Sequence, residues 1–309
     1  AKYPFFSGSS EYMKKHFKNY SEYVKKFLNT NSKIIEIGSN DGTFLKNFIN
    51  QSDKFIGFEP SKNVAELAIK NGIPTIINFF NKSSAKNLKE YVGKTDLICA
   101  SNVICHVPDL NNLIEAVDIL LSKNGTFVFE EPYLGAMLDK VSYDQIYDEH
   151  IYMFSASSIS KIFKKYKFEL VDVIPQSTHG GSMRYVIKRE KNEVNNNVNK
   201  ILNFEKEKKI DKIESCIEFK KNCEISRQKI LGKLKSFKDE GKSICGYAAT
   251  SKSTTILNYC NINSDYIDYI CDTTKEKIGK YSPGMHIPIV PVSHFHNNIP
   301  DIAYLLAWN

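Results

Sequence analysis

From Lys33 to Glu130, short apolar runs of strand length alternate with stretches of helical periodicity, and this alternation limits the fold more than any other feature. Residues 33–37, 55–59, 96–100 and 126–130 read as strands. A helix running to about residue 49, and others at 64–71 and 110–121, fill the intervals. Such an order predicts an α/β fold with a mostly parallel, doubly wound sheet and helices on both faces. Residues 9–30 place Tyr12, Phe17, Tyr20, Tyr23, Val24 and Phe27 at the spacing of an amphipathic helix.

The first strand ends in Glu36-Ile37-Gly38-Ser39-Asn40-Asp41-Gly42. Gly38 and Gly42 permit a tight turn and close approach of a ligand to the backbone. Their G-x-x-x-G spacing is not the dinucleotide G-x-G-x-x-G, and Glu36 and Asp41 would repel a pyrophosphate. The next strand ends at Glu59, whose carboxylate can accept hydrogen bonds from both hydroxyls of a ribose. Strand, glycine turn, helix, strand and acid together resemble the class I methyltransferases. The resemblance implies S-adenosylmethionine as cofactor, with Asp41 toward its methionine side and Glu59 at its ribose.

After Arg189 the composition turns to Asn, Lys and Glu, and a second strand–helix–strand order begins near Ser243. Four segments follow from this: an N-terminal helical segment (1–32), a methyltransferase-like domain (33–189), a helical connector (190–241) and a smaller Rossmann-like α/β domain (242–309). No run of about 18 apolar residues occurs, and the opening residues lack the order of a signal peptide, so a cytoplasmic protein without a membrane partner is expected. The formal charge of +7 is spread along helix faces, which favours a small anionic ligand over nucleic acid. The seven cysteines form no C-x-x-C pair, so no metal site is expected and the thiols read as reduced and buried.

The segment Ser142-Tyr143-Asp144-Gln145-Ile146-Tyr147-Asp148-Glu149-His150 gathers phenols and carboxylates around one histidine. Imidazole is suited to removing a proton from carbon near neutral pH, and a carboxylate such as Glu149 can hold its tautomer. A carbon acid beside a ketone can form an enolate if its oxyanion is stabilised. Tyr147, Asn102 and His106 are all candidate donors for that task.

From Lys33 to its end the sequence resembles the sugar C-methyltransferase family, which methylates C3 of nucleotide-linked 4-keto-6-deoxy sugars. The resemblance is carried by residues 36–42, by Ser101-Asn102-Val103-Ile104-Cys105-His106-Val107-Pro108-Asp109, by Glu131-Pro132-Tyr133-Leu134, by Tyr147-Asp148-Glu149-His150 and by His179-Gly180-Gly181-Ser182-Met183-Arg184. In the second domain it is carried by residues 246–255, 257–260 and 281–288. It implies that His150 is the general base beside Tyr147 and Glu149, and that Asn102 and His106 line the pocket. It also implies that Asn40 and Asn102 join the cofactor residues, that Tyr3 is an upstream active-site tyrosine, and that the substrate is a dTDP-linked sugar. Family members begin with a zinc domain built on paired cysteines, which this sequence lacks, and the ending at Trp308-Asn309 is short of the family's extent.

Residues 246–253, Gly-Tyr-Ala-Ala-Thr-Ser-Lys-Ser, come within one residue of a Walker A loop, with Ser251 in place of its second glycine. An NTPase is the rival reading. The favoured one is a helix start at which Ser251, Lys252, Ser253 and Thr254 hold the diphosphate of a sugar nucleotide. His179, Gly180 and Gly181 would let the chain approach the same substrate, with Arg184 on a phosphate or sugar oxygen. The alternative is a β-hairpin turn followed by a surface arginine.

Overall fold

The structure is a computed structural model that describes Tyr3, residues 5–49 and residues 54–307. The outermost residues of the 1–32 and 242–309 segments, including Trp308-Asn309, lie outside the described residues. Chain contacts form two compact units, one of Ala1–Tyr133, Ile151–Gln176 and Ser182–Glu207, the other of Leu134–His150, Ser177–Gly181 and Lys208–Asn309.

The first unit is built on a seven-stranded sheet comprising β1 (Lys33–Ile37), β2 (Lys54–Phe58), β3 (Thr75–Ile76), β4 (Thr95–Ser101), β5 (Leu121–Pro132), β6 (Phe168–Gln176) and β7 (Ser182–Arg189). Their order is β3-β2-β1-β4-β5-β7-β6, parallel except that β7 runs against β5 and β6. The expected class I methyltransferase-like doubly wound sheet is therefore present. The order reverses between β1 and β4, so the crevice at their carboxyl ends is where such a sheet takes a ligand. Two expectations change in detail. The helix expected to run to residue 49 is only a 3-10 turn, Leu45–Phe48, and β6 with β7 form an antiparallel hairpin, as the alternative reading of the glycine pair required.

The helix Glu11–Lys25 begins at Ser10, whose hydroxyl accepts the Met13 N–H. Its buried face, Phe17, Tyr20 and Val24, packs with Phe44 and Phe48 behind the glycine turn. Tyr20 adds a hydrogen bond from its hydroxyl to the Val128 carbonyl (2.8 Å), fixing the helix to β5.

The second unit carries four parallel strands, β8 (Ile244–Tyr247), β9 (Tyr269–Asp272), β10 (Ile289–Pro291) and β11 (Ile302–Leu305), in the order β10-β9-β8-β11. This is the expected smaller Rossmann-like sheet. The connector is two helices, Asn196–Glu207 and Ile213–Asp239. Leu234 and Cys223 of the longer helix join Ile244, Leu257, Cys260, Ile270 and Tyr143 in one core. Six of the seven cysteines are buried, and Cys216 is exposed. Among the described residues no helix is long and apolar enough to cross a membrane.

Candidate active site

In the first unit the expected cofactor residues gather at the carboxyl ends of β1, β2 and β4. Gly38 has φ +67°, and a Cβ there would collide with a methyl of Val103, so a side chain would be strained in conformation and crowded in space. This close approach packs the glycine turn against the turn that follows β4. Glu59 is buried at the end of β2; its carboxylate accepts from Asn40 N–H (3.1 Å) and Ser61 N–H (2.7 Å). A carboxylate has about four acceptor positions, and these two donors do not fill them.

Glu36 is buried near the end of β1, and its Oε2 has no hydrogen-bond partner. Burial, then the charges of Asp41 and Glu59, push its carboxyl well above the usual range. A buried acid of this kind becomes easier to ionise when a cation is brought beside it. Asn102, with φ +52°, presents a second buried acceptor without a partner, Oδ1.

Asn40 and Asp41 bond to the chain that precedes the helix Glu11–Lys25 and to Thr43. Asn40 Oδ1 accepts from Ser7 N–H (3.0 Å), and its Nδ2 donates to the Phe5 carbonyl (3.1 Å). Asp41 Oδ2 accepts from Gly8 N–H (2.8 Å), while Oδ1 accepts from the Thr43 hydroxyl (2.5 Å). The side chains of the glycine turn thus clasp residues 5–8. Gly8 is needed for that approach, because a Cβ there would come within 2.9 Å of Thr43 Oγ1. Tyr3 is tied to the same unit by two backbone bonds with the Asn63 amide.

Glu131, quoted in the family motif but given no role there, shapes the turn that carries Asn102 and His106. Its Oε1 accepts from Val103 N–H (3.0 Å) and Ile104 N–H (2.6 Å). Arg184, expected on a phosphate or sugar oxygen, is instead buried and paired with Glu130, to which Nε and Nη2 donate at 2.8 and 2.6 Å. The antiparallel register places these two residues opposite each other on β5 and β7. Arg184 is therefore held within the sheet in this structure.

In the second unit, the 3-10 turn Tyr143–Gln145 leads into the Tyr-Asp-Glu-His segment. His150 Nδ1 lies 2.8 Å from the Gln145 carbonyl, and its Nε2 lies 2.8 Å from the Tyr147 hydroxyl. A carbonyl only accepts, so Nδ1 carries the proton and Nε2 is the basic nitrogen, receiving the Tyr147 O–H. The acceptor expected at Glu149 is thus supplied by a main-chain carbonyl. His179 and Gly180 belong to the same unit. Their carbonyls accept from Gln145 Nε2 and Lys140 Nζ, both at 2.5 Å. At Gly181 a Cβ would stand 2.6 Å from Ala136 Cβ.

The Walker-like segment forms the start of the helix Ser251–Cys260, with Thr250 as N-cap accepting from Ser253 N–H. The Ser253 and Thr254 hydroxyls, expected on a diphosphate, turn back to the Thr250 carbonyl at 2.6 and 3.5 Å. The Ser251 and Lys252 side chains have no such internal bond among those of the described residues. Burial lowers the Lys252 amine to about 8, against the upward pull of the Asp144 carboxylate.

Residues 11–173 match the family described as methyltransferase domain, and residues 177–309 match the C-methyltransferase C-terminal domain. The chain is 30% identical over 278 residues to the C-methyltransferase NovU of Streptomyces niveus, across 89% of this chain and 66% of that protein's length. Among solved structures, the PH0226 protein of Pyrococcus horikoshii OT3 is similar at 14% identity over 61% of this chain and 96% of its own, with a TM-score of 0.49. Magnesium protoporphyrin IX methyltransferase of Synechocystis PCC 6803 is similar at 13% identity over 57% of this chain and 83% of its own, with a TM-score of 0.44. These structural likenesses are too low to add to the strand order itself. The sequence matches are sufficient: the chain belongs to the methyltransferase domain family, and residues 177–309 match the C-methyltransferase C-terminal domain.

Proposed function

We propose that the protein transfers a methyl group from S-adenosylmethionine to C3 of a nucleotide-linked 4-keto-6-deoxy sugar, with His150 as the base. The substrate class follows the similarity to the NovU C-methyltransferase, of whose length this chain spans 66%. The observation that carries the reading is the His150 geometry. A neutral imidazole with Nδ1–H on a carbonyl has its lone pair on Nε2, as required to take a proton from carbon.

S-adenosylmethionine is the cofactor of this domain, and it supplies an electrophilic methyl group on a cationic sulfur. The buried residues suit such a ligand: Glu59 for ribose hydroxyls, and the unpartnered Glu36 and Asn102 acceptors for its donors and positive charge. His150 Nε2 takes the C3 proton; the electron pair of that C–H bond becomes the C3–C4 double bond, and the π pair of the C4 carbonyl moves onto its oxygen, giving an enolate. Tyr147, Asn102 and His106 are the candidate donors to that oxyanion. The Ser251–Lys252 start of the second-unit helix serves the diphosphate. An anion there would offset the cost of keeping the desolvated Lys252 charged.

Incubation with dTDP-4-keto-6-deoxy sugars and S-adenosylmethionine should add one methyl group by mass spectrometry. Without S-adenosylmethionine, C3 should still exchange with solvent deuterium. Methyl gain without exchange would point to O- or N-methylation, and ATP hydrolysis in place of methyl gain to an NTPase.

Glu59→Ala should weaken S-adenosylmethionine binding by about 1.5 to 3 kcal/mol, the range for a lost hydrogen bond to a charged group. Calorimetry measures this directly, and an unchanged affinity would remove Glu59 from the ribose site.

A further inference from the structure

We infer that Gln145 is a positioning residue for His150: its main-chain carbonyl selects which imidazole nitrogen holds the proton, and its side-chain amide pins that carbonyl in place. The functional consequence rests on the reading of His150 as the base.

A carbonyl five residues back in the chain directs an imidazole only if the turn that bears it is held still. Three anchors hold the Tyr143–Gln145 turn. Tyr143 is buried in the second unit's core, with its hydroxyl 3.4 Å from Cys260 Sγ and its ring 5.0 Å from that of Tyr259. Within the backbone, Gln145 N–H donates to Ser142 and Ile146 N–H donates to Tyr143. The third anchor is the bond from Gln145 Nε2 to the His179 carbonyl (2.5 Å).

That side-chain bond has no alternative orientation. Exchanging the amide's nitrogen and oxygen would set two acceptors against each other. The remaining oxygen, Oε1, is buried and has no partner, a destabilising arrangement that an apolar side chain of similar size would avoid. An amide at this position is accounted for by its donor. The receiving loop is itself constrained: His179 has φ +52°, Gly181 has φ +133°, and Lys140 Nζ holds the Gly180 carbonyl. Gln145 therefore links a rigid loop to the atom that sets the tautomer of His150.

The test is the imidazole ¹⁵N spectrum of the full chain, with the His150 signals identified by their loss in His150→Gln. The wild-type protein should show His150 in the Nδ1–H form. In Gln145→Leu the carbonyl is no longer pinned, so the spectrum should become a mixture of tautomers. The methylation kcat should fall about tenfold, the lower end of what an orienting partner is worth, with the sugar-nucleotide KM little changed. Gln145→Met gives the same comparison if the leucine variant does not fold. Wild-type tautomer signals in both Gln145 variants would overturn the inference. The spectrum is read without turnover, so failure of the base assignment is seen separately, as full activity in His150→Ala.

Discussion

His150→Ala should lower the methylation rate by about a hundred to ten thousandfold, the usual worth of a general base, while both ligands still bind. His150→Gln should behave alike, because an amide does not accept a proton at useful pH. With the Gln145 carbonyl at Nδ1, Nε2 is the nitrogen left to accept a proton, and the proposed base is then the neutral imidazole. The rate should accordingly rise with pH as the imidazole loses its proton, then level off. Single-turnover rates with both ligands saturating separate chemistry from binding. A variant that keeps more than roughly a tenth of the wild-type rate, above the range for a lost base, would mean that Tyr147 or another group removes the proton.

The second large effect is on stability. Arg184 and Glu130 are both buried, and the guanidinium also lies 4.4 and 4.6 Å from the Tyr20 and Tyr23 ring centres. Among the described residues, Arg184→Ala would leave this buried carboxylate with His16 Nε2 (2.6 Å) and the Ser101 hydroxyl (3.1 Å). Breaking such a pair on one side costs about 3 to 5 kcal/mol, measurable by denaturant unfolding.

The pH dependence follows from Glu130. Burial raises its carboxyl, but the His16 hydrogen bond and the Arg184 charge outweigh burial and hold it below the usual range. The stability contributed by a lowered acid is complete above the unfolded-state pKa and is lost as pH falls through the folded value. The gap between wild type and Arg184→Ala should therefore narrow in acid, where the carboxylate is neutral in both. A gap below about 1 kcal/mol at neutral pH, the level of an exposed pair, would show that Arg184 does not hold this charge in the sheet.

Much of the fold is legible in local sequence. The strands around β1, β2, β4 and β5, a helix ending at Cys260 and the helical character of the connector announce themselves through periodicity, because the solvent and core faces of each element repeat within a few residues. Gly38 and Glu59 were legible for a similar reason, since a turn that needs positive φ and an acid that ends a strand are both short-range facts. The Tyr147–His150 contact is also local, being three residues long.

What the tertiary structure decided are the pairings between distant groups. Arg184 reads as a phosphate ligand until β7 is laid against β5 and Glu130, 54 residues away, meets it in a buried sheet. That residues 5–8 meet the side chains of Asn40 and Asp41 is likewise set by the fold and not by local sequence. Glu131 and Gln145 carry no sequence signal for their roles, because each works through backbone groups whose direction exists only once the turns are folded. Periodicity records which face of an element is buried. It does not record which polar group waits on the other side, and in a low-dielectric interior that partner decides whether a charged side chain holds the fold or meets a ligand.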